Sequence, residues 1–170
     1  MAGYSAGTFS ARQYSAITVA ALTAGDDGIG IITNWQGGGS AACYAGLVYA
    51  LNGGGAKYTL ARYDAAGTRT NLAFGPETGG ALSAGVIVEL ESDNGVLSLI
   101  SNESGQRTVR VSVVDKTLTG GTPGVYAYSA TTVGAARIDA WEGGNLLTDA
   151  VSLSVLKSLR RGMGASRGGR

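Results

Sequence analysis

Turn signals recur along this chain about every ten residues, a spacing that leaves room for short strands but not for a succession of helices. Gln13 to Leu22 alternates Tyr14, Ala16, Thr18 and Ala20 against Ile17, Val19 and Ala21, the period of a strand. The turn Ala24-Gly-Asp-Asp-Gly28 leads into a strand from Ile29 to Asn34, and Gly37 to Gly39 leads into another from Ala42 to Leu51. Asn52-Gly-Gly-Gly55 then returns the chain through Lys57 to Tyr63 as a hairpin, because Asn-Gly supplies the positive φ angles such a turn needs. Further strands are expected at residues 70–74, 86–91, 96–100 and 107–114, the last with Val109, Val111 and Val113 on one face. Asp93-Asn-Gly95 and Ser101 to Gly105 are the tight turns between them. No amphipathic helix interrupts this series and no repeat of fixed period runs through it. A sandwich or barrel remains, and propellers and β-helices do not.

The stretch from Gly120 to Gly144 closes the series. It has a Pro123-Gly124 turn, a short strand carrying Tyr126 and Tyr128 as an interface stripe, and a loop of small residues. A strand alternating Ile138 and Ala140 against Asp139 and Trp141 follows, with Trp141 at the core or the sheet edge. A late strand of this kind ends many two-sheet sandwiches. The 29 glycines fit either a disordered chain or a turn-rich β protein, and the 44% apolar content decides for the second, since such a chain can bury enough surface to fold. The expectation is an all-β, two-sheet antiparallel jelly-roll sandwich over residues 1–145, followed by a C-terminal arm at 146–170.

The chain has no histidine and one cysteine. That excludes a Ser-His-Asp triad, a Cys-His dyad, histidine-containing zinc sites and an intramolecular disulfide. Cys43, in a strand, reads as a small buried hydrophobe. No run of apolar residues is long enough for a membrane span, and the first residues lack the basic-then-apolar order of a leader. Net charge is uneven. The first 156 residues carry eight basic and twelve acidic side chains, whereas Lys157, Arg160, Arg161, Arg167 and Arg170 are followed or preceded by no acid from 157 onward.

The order of the pieces resembles the concanavalin A-like lectin/glucanase superfamily, in particular its laminin-G-like jelly rolls. Gln13-Tyr-Ser-Ala-Ile-Thr-Val and Gly28-Ile-Gly-Ile-Ile look like its early strands. Cys43-Tyr-Ala-Gly-Leu-Val-Tyr with Lys57-Tyr-Thr-Leu-Ala-Arg-Tyr looks like its central hairpin, and Val86-Ile-Val-Glu-Leu-Glu like its mid-domain strand. The resemblance covers residues 8 to 145, without the Phe-Asn-Arg or Trp-bearing opening segment of many members. The Gly-rich style and the lack of a leader pattern look like a virion protein of a tailed bacteriophage.

Four constellations bear on function. Glu89, Glu91 and Asp93 share a strand face, and glucanases of the superfamily place paired carboxylates on such a strand. Here their order differs and no tryptophan cluster accompanies them, so they read as a solvated face. Asp26 and Asp27 are the candidate metal ligands, since some members bind Ca²⁺ through loop carboxylates; no other cofactor is expected. Asn34, Trp35 and Gln36 form a loop tryptophan flanked by amides, a candidate sugar platform. Lys157, Arg160, Arg161, Arg167 and Arg170 are candidate partner-binding residues. They suit an acidic protein surface better than nucleic acid, because the tail has no aromatic residue to stack on bases. The functional expectation is a non-enzymatic virion component, a capsid decoration or tail-associated protein made in the host cytoplasm. It would dock on other virion proteins and its own copies through its surface and arm. The alternative is a lectin-like carbohydrate-binding module using the Trp35 loop, with surface glycans as partners and no membrane.

Overall fold

The computed structural model describes residues 2–3, 9–22, 28–51, 55–79, 82–128 and 136–146. Eleven strands appear among them: β1 (Ala2–Gly3), β2 (Arg12–Leu22), β3 (Gly28–Trp35), β4 (Cys43–Ala50), β5 (Ala56–Tyr63), β6 (Arg69–Phe74), β7 (Ile87–Asp93), β8 (Val96–Glu103), β9 (Gln106–Val114), β10 (Thr122–Tyr128) and β11 (Ala136–Asn145). They form two antiparallel sheets, one ordered β1-β10-β3-β4-β5-β6 and the other β11-β2-β7-β8-β9. The expected all-β sandwich is the observed architecture.

Local chemistry sets the hairpins. Asp93 pairs with Val96 and Glu103 with Gln106, so each connection has two residues. Both residues of each take positive φ, Asn94 at 51° with Gly95 at 87° and Ser104 at 53° with Gly105 at 81°. Two-residue loops with this geometry match the right-handed twist of the strands they join. The turn before β10 lies three residues earlier than the sequence suggests. Gly120 and Gly121 carry the positive φ angles, while Pro123 and Gly124 belong to β10, where its register against β3 shifts.

Alternation places one residue set between the sheets. Ile29, Ile31, Tyr44, Val48, Tyr58 and Leu60 from the six-stranded sheet meet Ile17, Val19, Val88, Leu90, Leu97 and Leu99 from the other. Gly46 lets the sheets approach, since a Cβ there would lie 2.6 Å from Leu99 Cδ1. Burying each such aliphatic side chain stabilises the fold by roughly 1.5–3 kcal/mol. Trp141, on the edge strand β11, packs against this core and donates its indole N–H to Ser15 Oγ.

Two polar seams tie the sheets together. Gln13, fully buried, donates to the carbonyls of Ser10 and Gly121, and its Oε1 accepts from the Asn34 N–H. At the other seam the Tyr44 hydroxyl donates to Asp115 Oδ1 at 2.8 Å and accepts from the Leu118 N–H at 2.9 Å. Arg62 Nη1 donates to Asp115 Oδ2 at 2.6 Å. Burial pushes the Tyr44 phenol up to about 12. Burial also works to raise Asp115, but hydrogen bonds from Thr117 and Tyr44, with the Arg62 charge, outweigh it and hold the carboxyl below its ordinary range.

One expected face is interrupted. Val111 is buried and Val113 packs on the core, but Val109 is 55% exposed. The ladder shifts between Leu99 and Ile100, which face Val111 and Val109, so Arg110 is the extra residue of a β-bulge. The bulge turns Arg110 inward, to Ser101 Oγ, Glu103 and the ring of Tyr58. Val109 is thereby switched to the outside.

Candidate functional site

The two sheets differ on their outer faces. On the five-stranded sheet, Val88 and Leu90 face the core and Glu89, Glu91 and Asp93 face outward. Arg107 reaches Glu89 at 3.4 Å and Glu91 at 2.5 Å, and Arg12 reaches Asp93 at 2.8 Å. Burial raises Glu89, opposed by Arg107 and reinforced by Glu91. Each acid has an arginine partner, which makes this the solvated face the sequence suggested.

The outer face of the six-stranded sheet is apolar. Ile32, Cys43, Ala45, Leu47 and Ala61 form a second buried cluster there, with Trp35, Tyr49, Tyr63 and Tyr126 packed around it. This is why β3, β4 and the middle of β5 are buried on both faces. Cys43 sits within it, fully buried, and burial pushes its thiol up to about 12, which removes it from nucleophilic chemistry.

A hollow of about 460 Å³ opens on this face. Its walls are Leu47, Tyr49, Tyr63, Tyr126 and Arg69, over the backbone of Gly28 and Ile29. Strand register explains the floor. Gly28 pairs with Tyr49, and Gly30 pairs with Leu47 on one side and Tyr126 on the other. A Cβ on Gly28 would lie 2.9 Å from the Tyr49 ring, and one on Gly30 would lie 2.8 Å from Leu47 Cδ2 and 3.2 Å from Tyr126 Cδ1. Glycine at these two positions lets larger neighbours lean over β3 and leaves space between them.

The rim is fixed by Arg69. Its Nε donates to Asn71 Oδ1 at 2.7 Å and its Nη1 to the Tyr49 hydroxyl at 2.7 Å, with the guanidinium 5.6 Å from the centre of the Tyr49 ring. Tyr63 is raised mainly by burial, with Arg69 acting to lower it and the phenols of Tyr49 and Tyr126 to raise it. Four side chains from four strands thus converge within electrostatic reach of one another. Aromatic surface, hydroxyl groups and a charged fork around a concave floor give the hollow the volume and the lining chemistry common to small-ligand sites.

The Trp35 loop serves the fold. Trp35 donates its indole N–H to the Ser40 carbonyl at 2.9 Å and packs on the outer-face cluster. Asn34, with φ at 55°, is 1% exposed, and its side-chain amide donates to the Gly120 carbonyl at 2.9 Å. A residue with so little surface offers nothing to a sugar, so the structure removes Asn34 from the expected platform. Gln36 is exposed and donates to the Asn34 carbonyl at 2.7 Å. Asp26 and Asp27 lie outside the described residues, as do Lys157, Arg160, Arg161, Arg167 and Arg170. Among the described residues no three His, Cys, Asp or Glu side chains group to hold a metal ion. Sequence reasoning paired Tyr126 with Tyr128 as a stripe and missed its meeting with Tyr49, Tyr63 and Arg69. The available signal was continuous burial in β3 and β4, where apolar residues run on without the polar alternation of a half-exposed strand.

No family model and no curated protein matches the chain in sequence. Solved structures do match it. A carbohydrate-binding module, CBM66 from Bacillus subtilis, aligns with a TM-score of 0.53 at 11% identity, over 82% of this chain and 75% of that one. The GH43 protein BlXynB from Bacillus licheniformis aligns with a TM-score of 0.56 at 11% identity, over 79% of this chain and 28% of that one. The chain therefore has the β-sandwich fold of these modules, and it spans little more than a quarter of the GH43 protein.

Proposed function

We propose that this domain is a carbohydrate-binding module whose site is the hollow on the outer face of the six-stranded sheet. One observation carries the reading: Tyr49, Tyr63, Tyr126 and Arg69 converge over a floor kept open by Gly28. Sugars present apolar C–H faces and a rim of hydroxyls. Tyrosines meet both demands, with ring surface for the first and phenol groups for the second. The fold shared with a carbohydrate-binding module supports the same reading. The role is binding without chemistry, because the acids that a glycosidase would need are paired with arginines on the opposite face of the sandwich.

The test is calorimetric titration of the full chain with a panel of soluble oligosaccharides. Binding that disappears in Tyr63→Ala, while the melting temperature stays put, is the expected result. A panel in which nothing binds overturns the proposal. The expectation of a virion component docking through the basic arm stays a separate proposal, tested by whether the chain co-purifies with a particle and loses it on deletion of residues 157–170.

A further inference from the structure

Among the described residues that line the hollow, Arg69 is the one that carries a charge. Four other arginines on the sheets are matched by acids: Arg12 by Asp93, Arg62 by Asp115, Arg107 by Glu89 and Glu91, and Arg110 by Glu103, whereas Arg137 on β11 forms no such pair among the described residues. Arg69 has no acidic partner among the described residues. It bonds instead to the Asn71 amide oxygen and the Tyr49 hydroxyl. Those two bonds set the plane of the guanidinium and use two of its five N–H donors.

The remaining donors belong to an exposed cation oriented by these two bonds at the rim, beside the apolar walls of the hollow. An anion seated in the hollow against the ring of Tyr63 and the side chain of Leu47 would be partly shielded from water, which strengthens its attraction to this cation. The planar fork matches two oxygens on one atom, as in a carboxylate. Resting on the carbohydrate reading above, we infer that the hollow selects a sugar residue bearing a carboxylate, received by Arg69 while Tyr63 and Tyr126 contact the ring. A neutral sugar would leave the guanidinium with only weaker, uncharged partners.

The experiment uses the full chain and paired probes: trigalacturonate against its methyl ester, 3′-sialyllactose against lactose, and sulfated lactose as a non-carboxylate anion. For a carboxylated probe, affinity exceeds that of its uncharged counterpart by about tenfold or more. The ratio shrinks as salt is raised. It falls to near one in Arg69→Gln and is only partly kept in Arg69→Lys, which retains the charge and loses the fork. Acid and ester binding equally, with both lost in Tyr63→Ala, overturns this inference and leaves the carbohydrate reading standing. Sulfated lactose binding as tightly as the sialylated probe overturns carboxylate selection in favour of a general anion site. If neither charged nor neutral glycans bind, both fall together.

Discussion

The Nη1 of Arg69 on β6 donates to the hydroxyl of Tyr49 on β4 at 2.7 Å, across the full width of β5. Strand pairing sets the two residues on different rungs. Arg69 is level with Tyr63 and Cys43, whereas Tyr49 is level with Lys57 and Gly28. The six steps from Cys43 to Tyr49 correspond to roughly 20 Å of strand. The two side chains therefore lean toward each other along the sheet, over the small residues Ala45 and Ala61.

That bridge is one of the two bonds that place Arg69, so Tyr49→Phe loosens it while keeping the ring. Glycan affinity is expected to fall several-fold, because a freed arginine must be ordered again on binding, at about 0.5–1.5 kcal/mol. Chemical denaturation should show stability changed by less than about 1 kcal/mol, since the bond is exposed.

Tyr63→Ala removes a wall of the hollow and is expected to weaken glycan binding by tenfold or more, as loss of a central tyrosine does at interfaces, about 2 kcal/mol. Titration calorimetry reads the affinity, and a circular dichroism melt separates it from unfolding.

Gly28→Ala and Gly46→Ala separate site from core. On Gly28 the new methyl presses on the Tyr49 ring, a side chain able to move, so binding weakens while the fold persists. On Gly46 it meets Leu99 and Leu90 between the sheets, and stability drops by about 1–3 kcal/mol. Unchanged binding in the first, or unchanged stability in the second, contradicts this division.

Asp115 gives the fold an acid-sensitive seam. Its folded pKa lies below the ordinary 3.8, so its stabilising contribution is complete above that value and is lost as pH falls through the lower, folded value. Asp115→Asn should flatten the acid limb of a pH–stability curve and cost about 1–3 kcal/mol at neutral pH, by weakening the Arg62 and Tyr44 bonds. A mutant curve with the same acid slope as the parent counts against the assignment.

Gln13→Ala leaves the buried Asn34 N–H without its acceptor and the Gly121 carbonyl without a donor. Urea denaturation should register a loss of about 1–3 kcal/mol.

Legibility tracked the range of the forces involved. Strand spacing, the Asn94-Gly95 and Ser104-Gly105 turns and the inward face of Ile17 and Val19 are written in neighbouring residues, and the sequence shows them. The Arg110 bulge is decided by which residue of β9 meets Leu99, a pairing across sequence, and no local pattern announces it. The hollow is more remote still. Tyr49, Tyr63, Arg69 and Tyr126 come from four strands whose order in the sheet differs from their order in the chain. Trp35 drew attention because tryptophan in a polar loop is conspicuous, yet its N–H and ring are both spent on the fold.

The glycine floor limits how the hollow can be altered. Gly28 and Gly30 shape the hollow by lacking side chains, so almost any substitution there subtracts space and none can add it. On the carbohydrate-binding proposal, specificity would therefore change only through the rim, by exchange of Tyr63, Arg69 or Tyr126. Filling the floor would close the hollow and keep the sandwich.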